Sequence, residues 1–252
     1  MITEVRKLLT GFILAAALAL ASASASASVP DAVALLKSSD QARGGGLLGL
    51  LWEVDIVTRG AGEQQSAMKM RIKAADNASV AETLEPIRSK GGKMLQVGRN
   101  MWLTKPGLKK PLPISPRQRL SGQAAIGDIA ATNYVRDYAA TVLKDDSSTG
   151  ESCYVLELKA VNNQTTYDRL HYWVSKARGV AVHAEFLSLS GKRLKTADFK
   201  YGNTIEIDGK RVPFVSKMTI SDDLTDAITT LDYSGVKVQH IPASEFSVSN
   251  LE

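Results

Sequence analysis

From Leu48 onward the chain alternates apolar and polar residues with period two, and that pattern leaves few folds open. Leu48, Leu50, Trp52, Val54 and Ile56 are interleaved with Leu51, Glu53, Asp55 and Val57, and Met68, Met70 and Ile72 with Lys69, Arg71 and Lys73. Successive side chains of a strand point to opposite faces, so such runs are half-buried strands. Similar runs recur at 79–84, 93–97, 101–104, 138–143, 153–161, 168–175, 180–189, 193–201, 212–220 and 227–238. Turn chemistry separates some of them, as at Ser190-Gly191-Lys192 and Asp208-Gly209-Lys210. About eleven short strands with tight turns predict an antiparallel meander, and a sheet of that size curls as strand twist accumulates.

Two segments break the rhythm. Residues 30–42 place Val33, Leu35 and Leu36 behind a Pro30-Asp31 start, which predicts one short amphipathic helix. Pro106, Pro111, Pro113 and Pro116 make 105–116 a stiff, extended connection, and 117–135, rich in Ala, Gln and Arg, reads as one or two short helices. The expected architecture is mainly β (α+β): an open antiparallel half-barrel with a short helical lid. A single domain would span 28–252, with 105–135 as a Pro-rich arm plus helical lid insertion.

The preceding residues read as an export signal. Arg6 and Lys7 precede an apolar run from Gly11 to Ala21, followed by small residues through Ser28. A positive start, a short apolar core and an Ala-x-Ala site predict a secretory signal peptide over 1–27, cut after Ala27. The run is short for a spanning helix, and no cysteine follows the cut to take a lipid, so a periplasmic protein, not itself lipidated, is expected. Losing Glu4, Arg6 and Lys7 lowers the net charge from +5 to +4. No basic stripe carries interleaved aromatics, which argues against nucleic acid. Cys153 is the single cysteine, so no internal disulfide can form, and the core alone must hold the fold.

Catalytic signals are weak. His183-Ala184-Glu185 on a strand would point His183 and Glu185 to one face, but two ligands do not make a metal site. Nothing in the sequence sets His171 against Cys153, which reads as a small buried thiol. Gly44-Gly45-Gly46 sits between a helix and a strand, the reverse of the order used by phosphate-binding loops. No enzyme and no cofactor are expected; a hydrolase using His171 or His183 would lack a recognisable acid, base and nucleophile set. Leu50, Trp52, Val54, Met68, Met70, Phe214 and Met218 would share the concave face if parity holds, and both a plain core and a ligand cavity require such a lining.

Several ordered strings resemble one family. They are Lys93-Met94-Leu95, Gly98-Arg99-Asn100-Met101-Trp102, Lys105-Pro106-Gly107, Pro113-Ile114-Ser115-Pro116-Arg117-Gln118-Arg119-Leu120, Gly127-Asp128-Ile129-Ala130 and Asn133-Tyr134. Cys153-Tyr154-Val155-Leu156, Tyr172-Trp173-Val174, Val212-Pro213-Phe214 and the stretch from Glu245-Phe246 to Asn250-Leu251 continue them. Together they resemble the bacterial outer-membrane lipoprotein-sorting protein family, a branch of the LolA/LolB-like superfamily of periplasmic lipoprotein carriers. The resemblance implies an unclosed barrel with a helical cap over an apolar cavity for acyl chains, and it favours the cavity reading. Leu50, Trp52, Val54, Met68, Met70, Trp102, Phe214 and Met218 are then the candidate acyl-contacting residues. It also implies a lipoprotein or lipid cargo and a monomer, and possible partners are an inner-membrane transporter of the resistance–nodulation–division (RND) type and an outer-membrane acceptor. A non-carrying accessory that docks onto such a pump is the alternative. The family's soluble carrier locks its lid with an arginine; Arg59 and Arg71 lie on early strands, and the resemblance singles out neither.

Overall fold

A computed structural model describes residues 30–60, 66–130, 132–222 and 225–251. The expected export signal lies outside them. Helix α1 spans Ala32–Gln41. Six strands follow: β1 (Leu50–Arg59), β2 (Ser66–Ala75), β3 (Ala78–Glu85), β4 (Lys93–Val97), β5 (Asn100–Thr104) and β6 (Leu112–Ile114). A short hairpin, β7 (Arg119–Ser121) with β8 (Ala124–Ala125), a 3-10 turn at Ile126–Asp128 and the one-turn helix α2 (Tyr134–Asp137) link them to the second half. That half contains β9 (Tyr138–Asp146), β10 (Cys153–Ala160), β11 (Arg169–Ser175), β12 (Ala181–Leu187) and β13 (Arg193–Lys200). The hairpin β14 (Asn203–Ile207) with β15 (Lys210–Phe214) precedes β16 (Lys217–Asp222) and β17 (Ile228–Val238).

Thirteen strands form one antiparallel sheet in the order β6-β5-β4-β3-β2-β1-β17-β16-β13-β12-β11-β10-β9. The last strand, β17, pairs with the first, β1, and so joins the two meanders into one curled layer. The edge strands β6 and β9 do not pair with each other, so the barrel stays open. Period two decides which side chains enter: β1 buries Leu50, Trp52, Val54 and Ile56 and half-exposes the residues between them. One core runs along the inner face of the sheet and continues under α1 and the 124–138 segment through Leu36, Ile126, Ile129 and Tyr134.

Three expectations change. Among the described residues, 117–135 contain a 3-10 turn and the start of α2 and no longer helix; side chains hold the segment instead. Asp128 accepts from the Ala125 N–H at 2.9 Å and Asn133 from the Arg136 N–H at 3.2 Å, and such local caps compete with helix propagation. The Pro-rich arm contains β6, which pairs with β5 although Pro113 lies within it, as an edge strand permits. The run at 212–220 is two strands, because Val215 leaves the sheet to donate its N–H to the Ala42 carbonyl at 2.9 Å. Asp208-Gly209, with φ of 51° and 73°, closes the β14–β15 hairpin, the backbone a two-residue turn between twisted strands requires.

Candidate functional site: the interior and its covering segments

The interior is covered from two sides. At one end α1 begins with Asp31 accepting from the Val33 N–H at 2.9 Å and presents Leu36, Ser39 and Asp40 to the barrel. Ser39 Oγ accepts from the Ala181 N–H at 3.1 Å and shares a hydrogen bond with the Tyr172 hydroxyl, also at 3.1 Å. Asp40 accepts from the Val135 N–H at 2.9 Å, tying α1 to α2. Arg43, only 5% exposed, donates to the Tyr172 hydroxyl at 3.3 Å. Its guanidinium lies 4.5 Å from the Phe199 ring centroid and 5.5 Å from that of Tyr134. The chain then passes so close to the 130s that a Cβ on Gly45 would stand 1.7 Å from the Thr132 carbonyl oxygen, so only glycine fits.

The 119–130 segment covers the other end. Asp128 is buried and accepts from the Tyr167 hydroxyl at 2.8 and 2.9 Å. Lys195, 8% exposed, reaches it at 3.3 Å and donates to the Gln123 carbonyl at 2.6 Å. Across the open side of the barrel, Arg99 pairs with Asp137 at 3.2 Å and donates to the Arg136 carbonyl at 2.7 Å. Arg117 pairs with Asp168 at 2.8 Å and donates to the Thr165 carbonyl, also at 2.8 Å. Polar side chains thus bridge the gap that the β-ladder leaves.

Burial, opposed by the Val135 N–H and by Arg43, pushes the Asp40 carboxyl up to about 8. The folded protein therefore keeps a proton that the unfolded chain, with an aspartate near about 4, releases. Between those two values the unfolded state binds fewer protons, so stability falls as pH rises and the loss is complete above the folded value. Asp40→Asn should remove this slope, which amounts to about a few kcal/mol between pH 5 and 8. Urea midpoints measured across that range test it; parallel profiles for the two proteins would refute it.

The candidate acyl-contacting residues divide. Leu50, Trp52, Val54, Met70, Phe214 and Met218 are each at most 1% exposed and belong to the one interior core, with Met68 half-buried against it. Trp52 meets Phe214 edge-on at 5.9 Å between centroids, and its buried indole N–H has no hydrogen-bond partner. Trp102 is placed elsewhere. In β5 the inward residue is Met101, and Trp102 packs on the outer face against the cluster of Val80, Leu95 and Leu251. Period two makes the two tryptophans face opposite ways. Arg59 is exposed, and Arg71 pairs with Glu53 on the outer face at 2.8 Å; neither lies under the lid.

His183 and Glu185 share the outer face, in an open groove of about 630 Å³ beside Trp173. His183 bonds Asp198 at 2.7 Å and His171 bonds Glu185 at 3.1 Å. Among the described residues no three metal-ligating side chains converge. Burial raises the Cys153 thiol, the wrong direction for a nucleophile. No helix of the described residues is long and apolar enough to cross a membrane. Pattern analysis missed Ser39, Asp40, Arg43 and Lys195, because isolated polar residues in apolar stretches carry no period. Asp128 was visible only as part of the Gly127-Asp128-Ile129-Ala130 string.

A protein-family model described as "Uncharacterized protein" matches residues 75–252. Among solved structures, a LolA superfamily protein from Nitrosomonas europaea is 30% identical with a TM-score of 0.77, the match covering 86% of this chain and 98% of that one. A DUF1329 family protein from Desulfovibrio piger matches at 19% identity and a TM-score of 0.73, over 88% of this chain and 98% of its own. An outer membrane lipoprotein-sorting protein domain from Vibrio parahaemolyticus matches at 22% identity and 0.72, over 86% and 96%. The last two likenesses are of fold. A search of curated proteins found no match.

Proposed function

The chain belongs to the LolA superfamily, and from that premise we propose that it is a periplasmic carrier that takes an acyl chain of a lipoprotein or lipid into its interior for transfer towards the outer membrane. The observation that carries this reading is how the interior is closed. A continuous apolar face on the sheet is covered by segments held to it through apolar packing, side-chain hydrogen bonds, ion pairs and isolated backbone bonds such as Val215 N–H to the Ala42 carbonyl, not through a β-ladder. Such a cover can leave without unpairing the sheet.

Energetics supply the mechanism. Each buried methylene contributes about 0.8 kcal/mol, so a long acyl chain does not cross water unaided at useful rates. The interior side chains fill the closed barrel, so entry of cargo requires α1 and the 119–137 segment to swing out. Trp52, Met68, Met70, Phe214 and Met218 would then meet the chain, and methionine suits cargo of varied shape. Release follows when the cover closes and its own residues, Leu36, Ile129 and Tyr134, reoccupy the face. The barrel, its Pro-rich arm and the cover would act as one domain.

The full packing of that face favours a second reading, in which it is a plain core and the protein is an accessory docking onto an RND-type export pump. Native mass spectrometry of protein purified without detergent from its own periplasm separates them. A discrete added mass matching an acylated molecule is the expected result. An apo mass that persists after incubation with phospholipid vesicles would sink the carrier reading in favour of the accessory.

A further inference from the structure

Among the described residues the barrel interior holds two buried cations, Arg43 and Lys195, and only Lys195 has a counter-charge. Lys195 has Asp128. The Arg43 guanidinium donates one hydrogen bond, to the Tyr172 hydroxyl, and among the described residues no carboxylate lies within ion-pair distance of it. Tyr172 and Tyr134 touch it, and Tyr201 and Tyr233 are near enough to act on its charge. Burial raises all four phenols, so they are neutral at any physiological pH. Its neighbouring acid is Asp40, in which one oxygen serves the Val135 N–H while the other has no partner. With its carboxyl pushed up to about 8, Asp40 carries a proton at neutral pH. Asp137, the last residue of α2, is already paired with Arg99 and Arg136. A guanidinium stays charged at all these pH values, and a buried charge without a counter-ion is costly.

We propose that Arg43 is the receptor for one anionic group of the cargo, a phosphate or carboxylate, bound where α1 meets the barrel. The inference rests on the carrier reading and adds to it a ligand class and an orientation. The guanidinium fork matches the two oxygens of such a group. Gly44, next in sequence, is close enough to Trp52 that a Cβ there would stand 3.2 Å from the indole ring. An amphiphile with its chain along Trp52 and Met70 would therefore bring its headgroup to Arg43. When the barrel is empty, the aromatic faces of Phe199 and Tyr134 and the single phenol hydroxyl hold the cation in place of an anion.

Three probes test this: palmitoyl lysophosphatidylglycerol, monopalmitoylglycerol, which has the same chain without charge, and inorganic phosphate. Wild-type protein and Arg43→Met are titrated by tryptophan fluorescence and native mass spectrometry, and melting is followed with and without phosphate. Wild type should bind the anionic lipid at least about tenfold more tightly than the neutral one, and Arg43→Met should bring that ratio near one. Equal binding of both lipids by wild type overturns the Arg43 inference and leaves the carrier standing. If neither lipid binds, the carrier reading falls. Stabilisation by phosphate that disappears in Arg43→Met would then mark a site for a free anion, and its absence would overturn the site as well. Without any ligand Arg43→Met should melt no lower than wild type, because it removes an uncompensated charge. A drop of several degrees would show that Asp40 already neutralises Arg43, and would also overturn the inference.

Discussion

Oxidised Ser38→Cys/Gly179→Cys protein is expected to take up no acylated lipid, and reduction is expected to restore uptake. Ser38 lies on the exposed side of α1, beside the turn between β11 and β12. A Cβ on Gly179 would stand 3.7 Å from the Ser38 Cβ, within the span a disulfide requires. The bridge would join the cover directly to the barrel wall and close a loop of about 140 residues, for which chain entropy alone gives about 5 kcal/mol and about 2–4 kcal/mol is typically realised. Gly179 has φ of 63°, so a side chain there costs about 1–2 kcal/mol, which the cross-link offsets. Cys153 is buried and does not compete for the new thiols. Uptake of a palmitoylated fluorophore, measured with and without reductant and against each single variant, reads the effect. An oxidised protein that still fills at the reduced rate would show that α1 is not the moving cover.

The second large effect concerns the ion pair under the 119–130 segment. Lys195→Met is expected to destabilise the protein by about 3–5 kcal/mol, because Asp128 then remains buried without its counter-charge. Lys195→Met with Asp128→Leu should recover much of that loss, since two apolar side chains of similar volume leave no charge behind, although the Tyr167 hydroxyl and the Ala125 N–H lose their acceptor. Urea denaturation of both variants measures it. A loss below about 1 kcal/mol in the single variant would place the pair among weak surface bridges despite its burial. The contrast with Arg43→Met separates a cation that holds the fold from one that waits for a ligand.

Much of the fold was legible in the residues themselves. The alternation of Leu50, Trp52, Val54 and Ile56 with polar neighbours determined which side of β1 faces inward, because a one-residue slip would turn the whole set to water. The same parity, once Met101 is known to face inward, puts Trp102 outside, and a short run such as 101–104 does not by itself say which of its faces is the inner one. Arg99 and Arg117, noticed only as letters in such strings, are the side chains that bridge the open barrel.

What the sequence by itself determined is therefore local: the strands, their inner and outer faces, the turn at Asp208-Gly209, and α1 between its Asp31 cap and the Gly44-Gly45-Gly46 run. Each depends on neighbours a few positions away, which a linear reading contains. The tertiary structure alone decided which buried charges are answered. Asp128 and Lys195 are 67 residues apart, Arg43 and Tyr172 129 apart, and no period or spacing connects them. Whether a polar group inside a barrel has a partner depends on which strands the curl brings together. That same curl paired Lys195 and left Arg43 without a counter-charge.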